Sequence, residues 1–326
     1  RAHSIGTRKA ILMDLSPIAT FIASNLNNMP SAVDLNEAAQ SILSEVSGLE
    51  KELYSSLDKN GNVRGLVNYV VWSDVYICDE CACEYDYWSQ AVELGSGEAK
   101  KTFPCPECGA TQNTRNLTRA YESYFDPILN HPVTQMKQAP VFINYFDNKG
   151  KKKKTELTHH DIQYATTMPS LDGIKGLIDA VELPKGDRYR RDAFEDRKVT
   201  HVHHFYTKRN LWVLSALWSR ASKPWVRRYA IWLSSSNIHI NKMRRWQPVK
   251  PGGTPGLPGT LYVCATPVEL SVFDGLPRKL RDLKKSLLGD DIFQNCTSTC
   301  SMDAMELRNN SIDYIFVDPP FGANLN

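Results

Sequence analysis

Near its C-terminal end the chain reads Asp318-Pro319-Pro320-Phe321-Gly322, directly after the apolar run Asp313 to Val317. A carboxylate at that place can accept a hydrogen from a weakly nucleophilic amine, with the Pro319 carbonyl assisting, and the two prolines stiffen the turn that holds both acceptors. Phe321 offers an aromatic face for a planar ring, a contact worth about 1–3 kcal/mol. Asp14 closes a second short apolar run, Lys9 to Asp14, and is followed by Ser16-Pro17, while Asp303 follows a third run, Ile292 to Thr297. Ligands of open α/β sheets bind beyond the carboxyl ends of the strands, so all three acids stand where chemistry is placed. Taken singly, Asp-Pro-Pro is also a plain turn, Asp14 a capping acid and Asp303 a loop acid.

Cys78-x-x-Cys81 and Cys105-x-x-Cys108 supply a second kind of chemistry. Four thiolates in two such pairs suit a tetrahedral zinc ion, and a site filled by four protein ligands is structural. Each pair is expected to form a knuckle, with a small hairpin between them. The gap is longer than in an ordinary zinc ribbon, and Cys83 competes as a ligand. Cys264, Cys296 and Cys300 read as small buried apolar residues.

These residues need elements to hold them. Lys9 to Asp14 suits a buried parallel strand, and Ser16-Pro17 starts a helix through Asn25. Asp34 with Glu37 predicts a capping box before a helix carrying Ile42, Val46, Leu49, Leu53 and Leu57. Val141 to Phe146 and Thr155 to Leu157 flank the turn Asn148-Lys149-Gly150 as a hairpin, with Lys151 to Lys154 a charge run at its tip that suits a solvated turn first and contact with a DNA backbone second. From Arg188 to Trp246 the chain is rich in basic and aromatic residues. Arg190, Arg191, Arg227, Arg228, Arg244 and Arg245 are candidates for a recognition surface, since arginine reads phosphates and guanine edges; the tryptophans fit a core better. His201, His203 and His204 suit either a metal or a strand over Thr200 to Phe205 with polar residues outward. Pro248 to Gly259 reads as a linker, Thr260 to Cys264 as a strand, and Leu276, Leu280, Leu283 and Leu287 as one face of a helix with Pro277 in its first turn.

With 326 residues, 42% of them hydrophobic, the chain can bury a sizeable core in about two domains. A formal charge of +3 and a pI near 8.3 leave nucleic-acid affinity to local patches. No apolar run approaches the roughly 20 residues that span a bilayer, and no signal-peptide core opens the chain, so the reading is cytoplasmic with no membrane partner.

Asp318-Pro319-Pro320-Phe321, preceded by Ser311-Ile312-Asp313-Tyr314-Ile315-Phe316-Val317, resembles the fourth motif of the DNA amino-methyltransferases acting on adenine N6 or cytosine N4. Gly6 to Ala23, with Lys-Ala-Ile-Leu-Met-Asp-Leu-Ser-Pro-Ile-Ala, resembles that family's second strand, and Ser301-Met302-Asp303-Ala304 its third motif. The resemblance implies an α/β fold: a partial Rossmann-like sheet that binds S-adenosylmethionine, with a large insertion containing a zinc ribbon, as in a large-insert prokaryotic subgroup. Phe205 to Leu211 and Gly259 to Tyr262 look similar to that subgroup too. It implies Asp14, Ser16 and Asp303 on the cofactor, Asp318, Pro319, Pro320 and Phe321 on a flipped base, and structural zinc on Cys78, Cys81, Cys105 and Cys108. The expected organisation is a first core part over 1–30, a helical connection over 31–75, the ribbon over 76–112, a target-recognition insertion over 113–259 and the second core part over 260–326. The expected partner is double-stranded DNA, with adenine ahead of cytosine and a restriction or phage-defence partner unspecified. RNA or protein-amide methylation, or an inactive zinc-ribbon nucleic-acid-binding protein, are the alternatives. The Gly-rich cofactor loop expected before Arg1 is not in the chain, which reads as a fragment. The geometric expectation is that Asp14 and Asp318 meet at one rim of a single sheet.

Overall fold

The computed structural model describes residues 9–28, 31–167, 171–174, 178–221, 232, 239–248, 254, 261–286 and 294–318. The strands in chain order are β1 (Lys9–Asp14), β2 (Ser55–Leu57), β3 (Val63–Ile77), β4 (Glu84–Asp86), β5 (Thr102–Pro104), β6 (Thr111–Asn113), β7 (Thr118–Arg119), β8 (Tyr121–Asp126), β9 (His131–Met136), β10 (Gln138–Asp147), β11 (Lys152–Thr155), β12 (Val268–Leu270) and β13 (Gln294–Thr299). The helices are α1 (Pro17–Asn27), α2 (Ala32–Glu45), α3 (Ser47–Leu53), α4 (Tyr87–Ala91), α5 (His159–Thr167), α6 (Asp187–Arg191), α7 (Phe194–Arg197), α8 (Lys208–Ala221) and α9 (Val272–Ser286). Among the described residues no helix is long and apolar enough to cross a membrane.

Two compact units divide the chain, one of residues 1–29 with 290–326 and one of residues 30–289. In the smaller unit β1 pairs in parallel with β13, Lys9 opposite Gln294 through Asp14 opposite Thr299. A parallel neighbour can only come from a distant segment, because the chain must cross back before it runs the same way again. Helix α1 packs on both strands. Ser16 caps it, its hydroxyl accepting from Ala19 N–H at 3.4 Å with Pro17 in the first turn, and the Thr20 hydroxyl meets that of Thr299 at 2.5 Å.

The larger unit is built on β3, whose valines and aromatic residues suit a strand covered on both faces. Antiparallel β10 flanks it along most of its length, β11 extends the sheet beyond β10, and β12 pairs on the other side. Gly65 is required here: a Cβ would stand 2.0 Å from the Phe146 carbonyl oxygen of β10. Helices α2, α8 and α9 pack together beside the sheet, burying Leu35, Ile42, Leu217, Leu276 and Leu280. Each such leucine or isoleucine contributes roughly 1.5–3 kcal/mol.

Several elements differ from the sequence reading. The helix expected from Asp34 begins at Ala32, capped by the Ser31 hydroxyl, which accepts from Asp34 N–H at 3.1 Å. It breaks at Val46, so Leu53 falls in α3 and Leu57 in β2. Helix α9 begins at Val272, which puts Pro277 inside it. A proline there costs one backbone hydrogen bond, and the apolar face opposes that cost. Leu287 lies outside the described residues. No strand forms at 261–264. Residues 261–286 belong to the larger unit, so the smaller one takes up the C-terminal sequence from 290 rather than 260. The hairpin on Asn148-Lys149-Gly150 forms from β10 and β11, but its second strand is Lys152–Thr155, so Lys152 to Lys154, expected at the tip, lie in the strand, and Glu156 and Leu157 lie beyond it.

Candidate functional site

Asp14 ends β1 and Asp303 lies in a short 3-10 turn, Met302–Ala304, just past the end of β13. Two parallel neighbours therefore carry an acid beyond the same carboxyl edge, the edge where α/β sheets take ligands. Asp14 is exposed, and its Oδ1 accepts from Ser16 N–H at 2.7 Å. That bond fixes the carboxylate at the positive end of α1. The Ser16 hydroxyl accepts from Ala19 N–H in capping α1, a bond that does not use its own proton. The Ser301 hydroxyl donates to Asp303 Oδ1 and holds its carboxyl below the usual range.

Asp318 is not brought to that edge by strand pairing. Residues 311–318 form no strand, and Tyr314, Ile315 and Phe316 are exposed, Tyr314 to 81%. An apolar run becomes a strand only when another strand pairs with it, and none among the described residues does so here. Pro319, Pro320 and Phe321 lie outside the described residues. Cys296, expected to be buried, is exposed on β13, which has one strand neighbour, whereas Cys264 is buried.

The four cysteines of the paired motifs converge. The Sγ atoms of Cys78, Cys81, Cys105 and Cys108 all lie within 4.8 Å of one another. Cys78 and Cys108 are 3.7 Å apart, as are Cys81 and Cys105. Zinc–sulfur bonds of about 2.3 Å in a tetrahedron set neighbouring sulfurs about 3.8 Å apart, so the cluster has the dimensions of a metal site. The two knuckles are built alike. Cys78 N–H donates to Cys83 O and Ala82 N–H to Cys78 O; Cys105 N–H donates to Ala110 O and Gly109 N–H to Cys105 O. The fifth residue of each turn is left-handed, Ala82 at φ 58° and Gly109 at φ 74°. Amides of Cys108 and Glu107 pull the Cys105 thiol down to about 6, while neighbouring thiols push Cys81 and Cys108 up against the pull of the Cys83 and Ala110 amides. Between the pairs lie β4, α4, a small turn closed by the antiparallel bridge Val92–Ala99, and β5; the hairpins β3–β4 and β5–β6 stand one beside each knuckle. That extra helix accounts for the long spacing. Cys83 Sγ stands 3.3 Å from Cys105 Sγ without joining the four-sulfur cluster.

Of the candidate recognition arginines, Arg190 and Arg191 are exposed, Arg244 is buried, and Arg227 and Arg228 lie outside the described residues. The core reading of the tryptophans describes Trp232, which is fully buried, and Trp246, whose ring meets Trp88 at 4.5 Å, but not Trp218, which is 46% exposed. The stretch Phe205 to Leu211 is an internal brace. Arg209 donates to both oxygens of the buried Glu269, Thr207 to Glu269 Oε1, and Asn210 to the carbonyls of Ile240 and Leu270 while accepting from Tyr54 OH.

One cluster escaped the sequence reading. Val202–Phe205 is a 3-10 helix, not a strand, and it turns His203 and His204 inward while Val202 is exposed. Both Nε2 atoms reach Asp126 Oδ2, at 2.8 and 3.1 Å. Burial opposes the Asp126 carboxylate, but the hydrogen bonds from His203 and His204 prevail and hold it below the usual range. These three line a cavity shared with Glu122, Tyr124 and Lys242, whose ammonium burial pushes down to about 8. The adjacent histidines were a visible signal; their distant carboxylate partner was not.

No protein-family model, no curated protein and no solved structure matches the chain.

Proposed function

We propose that this chain is part of an S-adenosylmethionine-dependent methyltransferase that modifies an exocyclic amine of a base in double-stranded DNA, adenine ahead of cytosine, and that its four-cysteine cluster holds structural zinc in a ribbon. One observation carries the reading: β1 pairs in parallel with β13 across the insertion, so that Asp14 and Asp303 follow the same edge of one sheet. An exposed carboxylate fixed at a helix N-terminus fits a ligand that presents paired hydroxyls, as a ribose does. The cofactor supplies a methyl group on a cationic sulfur. The chain's own part is to hold the ligand through Asp14 and Asp303, accept the amine hydrogens at Asp318 and Pro319, and stack the base on Phe321. A carboxylate acceptor aligns the lone pair of an amine that is otherwise conjugated into its ring.

The test is tritium transfer from labelled cofactor to duplex DNA, RNA or protein, using the longest expressed form of the protein. Label in duplex DNA is expected, with Asp318→Ala lowering the rate at least about 100-fold. Label confined to RNA or protein would overturn the substrate, and undiminished transfer by the variant would overturn the role of Asp318. DNA binding with no transfer to any acceptor would favour an inactive zinc-ribbon binder.

A further inference from the structure

Asp126, His203 and His204 direct one carboxylate oxygen and two imidazole nitrogens to a common point inside the larger unit, and all three residues are at most 4% exposed. We infer that this is a second metal site, for a divalent ion of the zinc class, with one coordination position open to the adjoining cavity. It is independent of the methyltransferase reading and uses none of its residues.

The donor geometry is the first argument. Zinc bonded to nitrogen and oxygen at about 2.0–2.1 Å in a tetrahedron sets neighbouring ligands about 3.3 Å apart. The two Nε2–Oδ2 separations, 2.8 and 3.1 Å, need to open only slightly to admit an ion.

The surrounding atoms aim the donors. Asp126 Oδ1 accepts from the amides of Ile128 and Leu129 at 2.9 and 3.2 Å, which leaves Oδ2 to face the histidines. His204 Nδ1 accepts from Thr200 N–H at 3.3 Å, so its ring proton sits on Nε2 facing Asp126 and must move to Nδ1 when Nε2 ligates; Nδ1 also lies 3.5 Å from Thr200 Oγ1. That hydroxyl can accept from Nδ1–H once Nε2 gives its lone pair to a metal, the usual outer support of a ligating histidine. Two imidazoles share one carboxylate oxygen, and among the described residues the buried His203 Nδ1 has no hydrogen-bond partner.

The open position follows from the cavity. Four thiolates close a site, whereas three protein ligands leave room for water or an exchangeable ligand. Asp126, His203 and His204 all line the cavity, together with Glu122, Tyr124 and Lys242. The ion would therefore take a water or an anionic oxygen from that side.

Cobalt(II) titration of the metal-stripped full chain tests the inference. Thiolate-bound cobalt gives strong near-ultraviolet charge transfer, and a nitrogen and oxygen site gives only weak visible bands. Uptake of a second ion with the weak bands alone is expected. Asp126→Asn and His203→Gln should each weaken that second binding at least 100-fold while the thiolate band persists, which also reports that the fold is kept. Saturation of the wild type by the thiolate-bound ion alone, or retention of the second ion by either variant, would overturn it. X-ray absorption on the zinc-loaded wild type needs no variant. Nitrogen or oxygen neighbours at about 2.0–2.1 Å beside sulfur at about 2.3 Å are expected, and a sulfur shell alone would overturn the site.

Discussion

Asp14 stands opposite Thr299 at the carboxyl ends of two parallel strands, with most of the chain between them. The Asp14 carboxylate is exposed, and among the described residues only one of its oxygens is tied, to Ser16 N–H. Asp14→Asn can keep that bond through its amide oxygen and lose the charge. Calorimetry with S-adenosylmethionine should then show affinity reduced about 10–100-fold with α1 intact, the effect of one charge-assisted hydrogen bond. Unchanged affinity would remove Asp14 from the cofactor site.

Cys83 and Cys105 have sulfurs in contact, yet only Cys105 belongs to the four-sulfur cluster. Cys105→Ala should abolish stoichiometric zinc and loosen the aromatic packing of Tyr76, Tyr85 and Phe103 around it. Cys83→Ala should retain the metal. Zinc content by mass spectrometry under native conditions separates the two, and a metal-free Cys83→Ala protein would make Cys83 the true ligand.

Ala82 occupies in the first knuckle the left-handed position that glycine holds in the second. A left-handed conformation costs a residue with a Cβ roughly 1–2 kcal/mol, partly offset by the greater freedom of glycine in the unfolded chain. Ala82→Gly is expected to stabilise the metal-loaded protein by about 0.5–1 kcal/mol in denaturant titration. A loss of stability would show that the turn is held differently.

Tyr69 buries a hydroxyl that has no hydrogen-bond partner among the described residues, and burial pushes its pKa up to about 12 from an ordinary 10. A raised pKa means that the folded state keeps the proton longer. The associated stability is complete below pH 10 and is lost as the pH rises toward 12. Tyr69→Phe removes both the unmatched hydroxyl and the titration. It should be more stable by about 1 kcal/mol at pH 7, and its melting temperature should fall less than that of the wild type between pH 10 and 12.

Arg209 and Glu269 are both buried, and their pairing is joined by Trp72 and Thr207. Arg209→Met would leave the Glu269 charge buried without its cation, at a cost of about 3–5 kcal/mol. The double variant with Glu269→Gln should recover part of the loss in chemical denaturation. Additive losses would mean that the pair is not coupled.

Local signals were the legible ones. Cys-x-x-Cys is visible because its donors are sequence neighbours, and the turn at Asn148 because its residues set its own backbone. Lys9 to Asp14 could be read as a parallel strand, although β1 is largely exposed rather than buried, and nothing in that run names Gln294 to Thr299 as its partner. What escaped depended on burial and distance. The Thr200 to Phe205 pattern suits a polar-outward strand, yet the histidines turn inward because the buried Asp126 carboxylate satisfies them, and Asp126 gives no local sign of that role. The run before Asp318 has strand composition, but composition supplies no neighbour for it to bond.

Strand β3 runs unbroken from its pairing with β2 at Val63 to the threshold of the first knuckle at Ile77. The thiolate cluster and the sheet interior are thus welded to a single length of backbone. An ion held at the sulfurs would pin this backbone one residue past Ile77, at Cys78, on the same strand that buries Val70 and Val71 in the sheet.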